Sequence, residues 1–517
     1  MSLLRRSGSY LSSIGADAAR PIIGQRLIAA APFLLVVFLF FFRLGHRDLY
    51  SSHEARAAQN AQRMLDTGEW GLPTLFDGRR DLQKPPLYYW LAAAAGYLND
   101  GVVTEWVVRL PAALAGLVCT LLVYATLRRE SGEGAAIAGM LVLATANHFT
   151  GISRTARIDV PLTCAVAASL LAFRLGCHPR THRLSSRLGW HVVAALAAAV
   201  AVMSKGPVGL ALICPAAAAW LLLEWLTLPR DERPHLPMAS LVMISGIVAL
   251  VALPWFVWAN RATDGEFFQV FFWHHTIARF TGSSPQLATH PWWYYVPRFA
   301  VDFLPWTPAL LVAVLWSIRS GHWKRDGLFR FSAMAFAVIV LVLSAARFKR
   351  ADYLLPAYPF AAMAVAAAIP AWLDSRPRPS SVRVAQWAFG AAVVASTVGW
   401  LVMMVVVEPA EQAREEKRRF AEMIRTHAPA PATILQFRME SHLLSYHLGR
   451  PVHTFVEWGE LNELLARPGP HFVVMPPEYV YPAGQIATSR KLVPIARLDE
   501  YTRGKPSRPL VFLRTMD

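Results

Sequence analysis

Charge is scarce in this chain, and so is cysteine. Only 16% of the 517 residues are charged while 55% are hydrophobic, a balance too apolar for an ordinary soluble protein. The four cysteines, Cys119, Cys164, Cys177 and Cys214, lie in or beside apolar runs without CxxC spacing, which argues against disulfides and zinc sites. Acidic residues number 34 against 51 Lys and Arg, giving a net charge of +17. That excess does not point to nucleic acid. The basic residues are scattered through short loops between apolar runs, as the positive-inside bias produces. No strong internal repeat is evident. The first apolar run, Leu27 to Gly45, lacks a small-residue cleavage site and reads as a retained span, not a signal peptide.

What the chain has in abundance is apolar runs near the roughly 20 residues that cross a bilayer. Eleven candidate spans cover about 27–45, 106–127, 134–150, 159–175, 189–204, 206–227, 238–259, 298–318, 330–346, 353–373 and 385–407. The fifth and sixth are nearly continuous, broken at "SKGP". Arg5, Arg6, Arg20 and Arg26, with the short basic loops "RRESGE", "CHPRTHRLSSR", "RSGHWKRDGLFR" and "DSRPRPSSVR", mark the cytoplasmic side. The long loops 46–105 and 260–297 fall on the other side, and an odd span count puts the tail, 408–517, there too. The expectation is an α-helical polytopic membrane protein of about 11–13 spans over residues 1–407, followed by a small extracytoplasmic α/β domain over 408–517. In that tail "ATILQF", "PVHTF" and "HFVVMPP" read as strands. "ESHLLSYHLG" and "WGELNELLAR" read as helices between them, and no Gly-rich phosphate loop is present.

The elaborate polar sequence lies in the loops. In "SSHEARAAQNAQRMLD", Ala55, Ala58, Ala61, Met64 and Leu65 recur at helical spacing. This piece and "PPLYYWLAAAAGYL" read as helices at the membrane surface. Ser51 and Glu54 have capping-box spacing, so Glu54 is either a cap or, with His53 and Arg56, part of a helix end facing a cavity. Lys84 in "LQKPPLYYW" is either a snorkelling lysine or a phosphate ligand beside aromatics. Asp159 in "SRTARIDVPL" is either an N-cap or a catalytic carboxylate near Arg154 and Arg157. Lys205 sits at the helix break. His274, His275 and Arg279 lie in "WHHTIARF", and Lys349, Arg350 and Tyr353 in "ARFKRADYLLPAYP". Each alone is weak evidence, but all fall on one predicted side. Carboxylates or histidine to activate an acceptor, with cations to stabilise a departing phosphate, suit attack on a phosphate-linked sugar. Outside the cytosol, a lipid-phosphate carrier fits better than a nucleotide sugar.

In order along the chain, "HEAR…MLDTGEWGLP", "QKPPLYYWL", "RLPAALAG", "RIDVPLT", "SKGPVGL", "HPWWYYVPRF", "FLPWT" and "KRADYLLPAYP" resemble the bacterial protein O-mannosyltransferase-like membrane glycosyltransferases, the group containing the lipid A aminoarabinose transferase. The resemblance covers most of residues 40–365. It implies a GT-C membrane fold, a polyprenyl-phosphate sugar donor, and an acceptor that is lipid A, another glycan or lipid, or protein. It implies a bacterial inner-membrane location with an extracytoplasmic site. No cofactor is implied, with a divalent cation left open, and no nucleic acid partner. Lys84, Arg279 and Tyr353 resemble donor-phosphate ligands, and Asp159 matches an acidic loop residue. Where the family usually has Asp-Glu at the first loop helix, this chain has His53-Glu54, and Gln83 stands where relatives can have Glu. Asp159, Glu54 and His53 are thus the candidate catalytic residues. Arg56, Lys84, Lys205, His274, Arg279, Lys349 and Tyr353 are the candidate substrate ligands. An inactive member serving binding or assembly, and a lipid-linked sugar transporter, are the competing readings.

Overall fold

The structure, a computed structural model, describes residues 23–516 apart from 179–182, 284–287, 377, 415–416, 440–441, 487–489 and 500–508. Arg5, Arg6 and Arg20 therefore lie outside the described residues, as does part of the "CHPRTHRLSSR" loop. The first apolar run forms α1 (Ile23–Phe41), and the first long loop carries α2 (Ser52–Thr67) and α3 (Leu87–Tyr97). There follow α4 (Glu105–Ser131), α5 (Glu133–Thr145), α6 (Asn147–Ser153), α7 (Asp159–Cys177), α8 (Leu184–Lys205), α9 (Val208–Thr227) and α10 (Met238–Ala262). Helices Thr307–Ser320, Gly327–Ala345, Tyr358–Asp374 and Pro379–Val402 complete the bundle.

Among the described residues eight helices are long and apolar enough to cross a membrane, or up to ten if each of two bent pairs is one span. These account for ten of the eleven expected runs, and the first is the shorter apolar stretch Ala30–Phe41 of α1. The run expected at 134–150 is the pair α5 and α6, bent by 68°. The run expected at 298–318 joins Trp292–Asp302 to Thr307–Ser320 at 111°. Pro305 falls in that second break, where it has no N–H to give to a continuing helix.

Between α8 and α9 the break is two residues, Gly206 and Pro207. Gly206 has φ of 68°, which a side chain rarely tolerates, and a Cβ there would lie 2.2 Å from the Phe271 ring. The turn brings the end of α8 close to the start of α9 and leaves Lys205 at the helix end, facing the loop side.

Helix α2 answers why so many polar groups stand beside the bilayer. Its apolar stripe, Ala55, Ala58, Ala61 and Met64, is buried, and so are Glu54, Gln59 and Asn60. The polar groups are structural connectors. Ser51 caps the helix by accepting from the Glu54 amide at 3.3 Å, and the Glu54 carboxylate accepts from the Tyr50 amide at 3.3 Å. Gln59 donates to the His442 carbonyl at 2.8 Å. Helix α2 thus packs against the tail.

The tail forms a five-stranded sheet: β1 (Ile434–Phe437), β2 (His453–Phe455), β3 (Phe472–Met475), β4 (Leu492–Leu498) and β5 (Leu510–Thr515). The order is β2-β1-β3-β5-β4, with β1 parallel to β2 and β3, and β5 antiparallel to β3 and β4. The three expected strands and the two helices between them, His442–Leu448 and Trp458–Leu465, are present. The apolar run ends near 407 without a chain break: Pro379–Val402 continues through Met403–Val407 into Glu408–Arg414. The domain is fastened to the first loop. Arg418 reaches Asp48 and Glu105, Arg47 donates to Glu408 at 3.0 Å, and the Tyr446 hydroxyl donates to the Val103 carbonyl at 3.4 Å. The tail therefore sits on the same side as loop 46–105.

Candidate active site

A cavity of about 240 Å³ opens where α2, the 83–85 segment, the start of α7, the α8–α9 break, the Phe268–Thr281 loop helices and the 346–353 segment meet. One part of its wall is apolar, with Leu162, Leu212, Phe271, Ile277, Val342 and Leu343. The other is polar and strongly basic: Lys84, Arg157, Lys205, Arg279 and Arg350 face one carboxylate, Asp159.

Asp159 opens α7 and does not cap it through its side chain. Its Oδ1 accepts from the Lys205 ammonium at 2.5 Å. Lys205 in turn stands over the Tyr353 ring, 3.7 Å from its centroid, in cation–π contact. The Tyr353 hydroxyl accepts from Arg279 Nη1 at 3.4 Å. Asp159 in α7, Lys205 in α8, Tyr353 in the 3-10 turn Ala351–Ala357 and Arg279 in the short helix Ala278–Thr281, spread over 194 positions of sequence, thus form one continuous chain of contacts. Lys84 lies in the same wall, and its pKa is pushed down to about 7. Burial is the largest cause; Arg56 and Arg157 add to it, while Asp159 and Asp81 oppose it.

His53, on the first turn of α2, also lines the cavity. Arg350 Nη1 lies 3.1 Å from its Nε2. A guanidinium only donates, so Nε2 accepts and the ring proton is on Nδ1. Burial first, then Lys84, Arg157, Arg350 and Arg56, hold the imidazole pKa far below its ordinary range, and the ring is neutral. His275 in the same wall is pushed down to about 4, by burial and then by Arg279 and Arg56.

Four expected site residues do not line this cavity. Glu54 is fully buried behind it, accepting from Arg109 Nε at 2.9 Å and from the Ala156 amide at 3.1 Å. Arg56 turns away to Asp81 (Nε to Oδ2 3.3 Å) and to Gln83 Oε1 at 2.7 Å, beside a second cavity of about 160 Å³. His274 is exposed, with Nδ1 2.9 Å from the Gln269 carbonyl. Lys349 is buried and donates to the His290 carbonyl at 3.1 Å and to the Ala346 carbonyl, tying the 346–350 segment to the preceding loop. The reason is common to all four: each has a nearby fixed partner that satisfies it, and nothing leaves it to face the cavity.

Sequence reasoning gave Arg157 as a neighbour of Asp159 and Arg350 as part of the "ARFKRADYLLPAYP" cluster, naming neither as a substrate ligand, yet both line the cavity. Both reach the same oxygen of Asp352, Arg157 at 3.4 Å and Arg350 at 3.5 Å, and His148 stands 3.5 Å from the other. "KRAD" carried a local hint for Arg350 and Asp352; the Arg157 and His148 partners, about 200 residues away, had none.

Helices of this number around a cavity under a loop-borne polar wall define a multi-pass membrane protein. Residues 83–258 match the family described as dolichyl-phosphate-mannose-protein mannosyltransferase. The undecaprenyl phosphate-alpha-4-amino-4-deoxy-L-arabinose arabinosyl transferase of Pseudomonas aeruginosa (strain LESB58) is 31% identical over 333 residues, 62% of this chain and 56% of the relative. An uncharacterized protein of Aquifex aeolicus is 30% identical over 331 residues, 64% of this chain and 61% of the relative. The match thus spans a little over half the length of these relatives. In fold, ArnT from Cupriavidus metallidurans bound to undecaprenyl phosphate superposes with a TM-score of 0.76 at 19% identity, covering 94% of this chain and 98% of that one. The oligosaccharyltransferase AglB from Archaeoglobus fulgidus gives 0.56 at 12% identity, covering 89% and 70%. The resemblance to the protein O-mannosyltransferase-like bacterial membrane glycosyltransferases holds in sequence and in fold.

Proposed function

We propose that the protein is a bacterial inner-membrane glycosyltransferase that moves a sugar from a polyprenyl-phosphate donor to an extracytoplasmic acceptor: lipid A, another glycan or lipid, or protein. One observation carries this reading. A carboxylate with one oxygen tied down stands in a basic wall that continues into an apolar one, which suits a phosphate head joined to a lipid tail. The names of the relatives, arabinosyl transferases acting with undecaprenyl phosphate, support the donor class.

In this reading the apolar wall receives the first part of the lipid chain, and Lys84, Arg279 and the Tyr353 hydroxyl receive the phosphate. The acceptor hydroxyl attacks the anomeric carbon. The new carbon–oxygen bond forms as the bond to phosphate oxygen breaks, and the electron pair leaves with the phosphate. The cations stabilise that charge as it develops. The acceptor's proton goes to Asp159, whose Oδ2 no donor among the described residues reaches. Glu54 does not compete for this role, because it is spent on Arg109. His53 has its Nε2 lone pair engaged by Arg350 and serves as a neutral wall of the sugar site. With Lys84 and Arg279 supplying positive charge at the leaving group the reading assigns no metal there, so a chelator leaves the rate unchanged.

The test is turnover of a panel of radiolabelled polyprenyl-phosphate sugars by purified protein with membrane lipid acceptors. The reading expects release of polyprenyl phosphate matched by labelled, lipid- or glycan-linked product. Sugar moved across a bilayer with its carrier bond intact, or no turnover despite donor binding, would instead favour the transporter or the inactive binding protein.

A further inference from the structure

The charge in the cavity exceeds what a donor phosphodiester needs. Five cations line it and its single carboxylate is already held by Lys205, whereas a sugar linked to polyprenyl phosphate brings about one negative charge at its phosphate. Lys205, Tyr353 and Arg279 form one linked group. Arg157 and Arg350 form another, held side by side because both reach Asp352 Oδ2. One carboxylate shared by two guanidinium groups leaves the pair net positive, and the Arg157 Nε is buried with no acceptor among the described residues. Planar guanidinium forks fixed beside each other match a carboxylate, which they bind through two parallel hydrogen bonds.

The neutral positions around them point the same way. His53 spends its free lone pair on Arg350, and Gln83 spends its carbonyl on Arg56. The one carboxylate in the wall, Asp159, is already paired with Lys205, and an ammonium here would sit beside Arg157, Arg279 and Arg350. Building on the transferase reading, we infer that the transferred sugar is acidic: a uronic acid whose carboxylate is held by Arg157 and Arg350, not an amino sugar.

The experiment uses the purified full chain and three short-chain polyprenyl-phosphate donors carrying a uronosyl, a neutral hexosyl and an amino-pentosyl group. Binding is measured by calorimetry and transfer by product analysis, for wild type, Arg350→Gln and Arg350→Lys, each variant first checked for a monodisperse, folded state. The uronosyl donor is expected to bind and react at least about tenfold better than the neutral one, the factor one charge-assisted hydrogen bond supplies, with the amino sugar weakest. Arg350→Gln should reduce the uronosyl preference to under about threefold, and Arg350→Lys, which keeps the charge and loses the fork, should fall between. A neutral or amino donor bound as tightly as the uronosyl donor overturns the inference. So does a uronosyl preference unchanged in Arg350→Gln, which would assign the arginine pair to an anion on the acceptor. If the binding preference and its Arg350 dependence hold while no donor is transferred, the transferase reading fails and the acidic-sugar assignment stands. Transfer without preference does the reverse.

Discussion

Glu54→Gln separates structure from chemistry at the first-loop helix. Glu54 is wholly buried and meets Arg109, itself 1% exposed, at 2.9 Å through Nε and 3.5 Å through Nη2. Arg109 also donates to the carbonyls of Leu44 at 2.9 Å, Arg47 at 2.7 Å and Asp48 at 2.9 Å. The pair therefore stitches α4 to the turn before α2. Removing one member of a buried pair costs about 3–5 kcal/mol, because the other charge is left uncompensated. Gln keeps one acceptor and the three carbonyls stay, so the loss should lie near the lower end, about 3 kcal/mol. Burial alone would raise the Glu54 pKa, but Arg109 and the Ala156 amide outweigh it and the net direction is down. With the folded pKa below the unfolded one, the stabilisation is present above about pH 4.5 and is lost as pH falls through the folded value. The assay is thermal unfolding in detergent at pH 7 and pH 4, with turnover of the folded fraction. The variant should melt several degrees lower at pH 7, with the difference shrinking in acid, while folded molecules keep most of the wild-type kcat. A variant that melts like wild type yet has lost turnover would mean that Glu54 acts in the chemistry and that its placement behind the cavity is wrong.

Three further outcomes follow from the same geometry. Lys84, pushed down to about 7, is half deprotonated in the empty site at neutral pH, and an arriving phosphate raises its pKa; donor binding at pH 8 should therefore take up close to one proton, measured by calorimetry in two buffers of different ionisation enthalpy, and affinity should weaken as pH rises above about 7. Lys84→Ala should lower kcat/KM by about 2–4 kcal/mol of transition-state stabilisation, and near-normal turnover would return this residue to the snorkelling reading. Reporters fused at Gly282 and in the tail should read extracytoplasmic and one at Arg325 cytoplasmic, since the tail is tied to loop 46–105 through Arg418 and Gln59; a cytoplasmic tail would contradict the shared side.

The parts of the fold written in long patterns were readable. All eleven apolar runs correspond to described helices or bent pairs, because length and hydropathy decide a span with little help from neighbours. What failed was local detail set by distant contacts. Strand β4 contains Pro494, which demotes a run read in isolation, yet it is an edge strand paired only with β5, where a missing N–H is tolerated. In the site, Asp159, Lys84, Lys205, Arg279, Tyr353 and His53 do share a cavity, as one predicted side required. The residues that drop out, Glu54, Arg56, His274 and Lys349, look the same in sequence. Only a partner such as Arg109, Asp81 or the His290 carbonyl distinguishes them, and none of those pairings is encoded by spacing. The Asp352 pairing of Arg157 and Arg350 was invisible for the same reason, with 195 positions between Arg157 and its carboxylate.

The central claim is that Asp159 takes the acceptor's proton during sugar transfer. Its most direct measurement is single-turnover transfer from a polyprenyl-phosphate sugar by wild type, Asp159→Asn and His53→Ala, with donor affinity measured alongside. The account predicts a loss of at least about a hundredfold in rate for Asp159→Asn, within the range for removing a general base, with donor binding retained; His53→Ala should keep substantial activity. Near-normal transfer by Asp159→Asn, with transfer abolished in His53→Ala and a wild-type rate that falls as the imidazole is protonated in acid, would contradict it and make His53 the base.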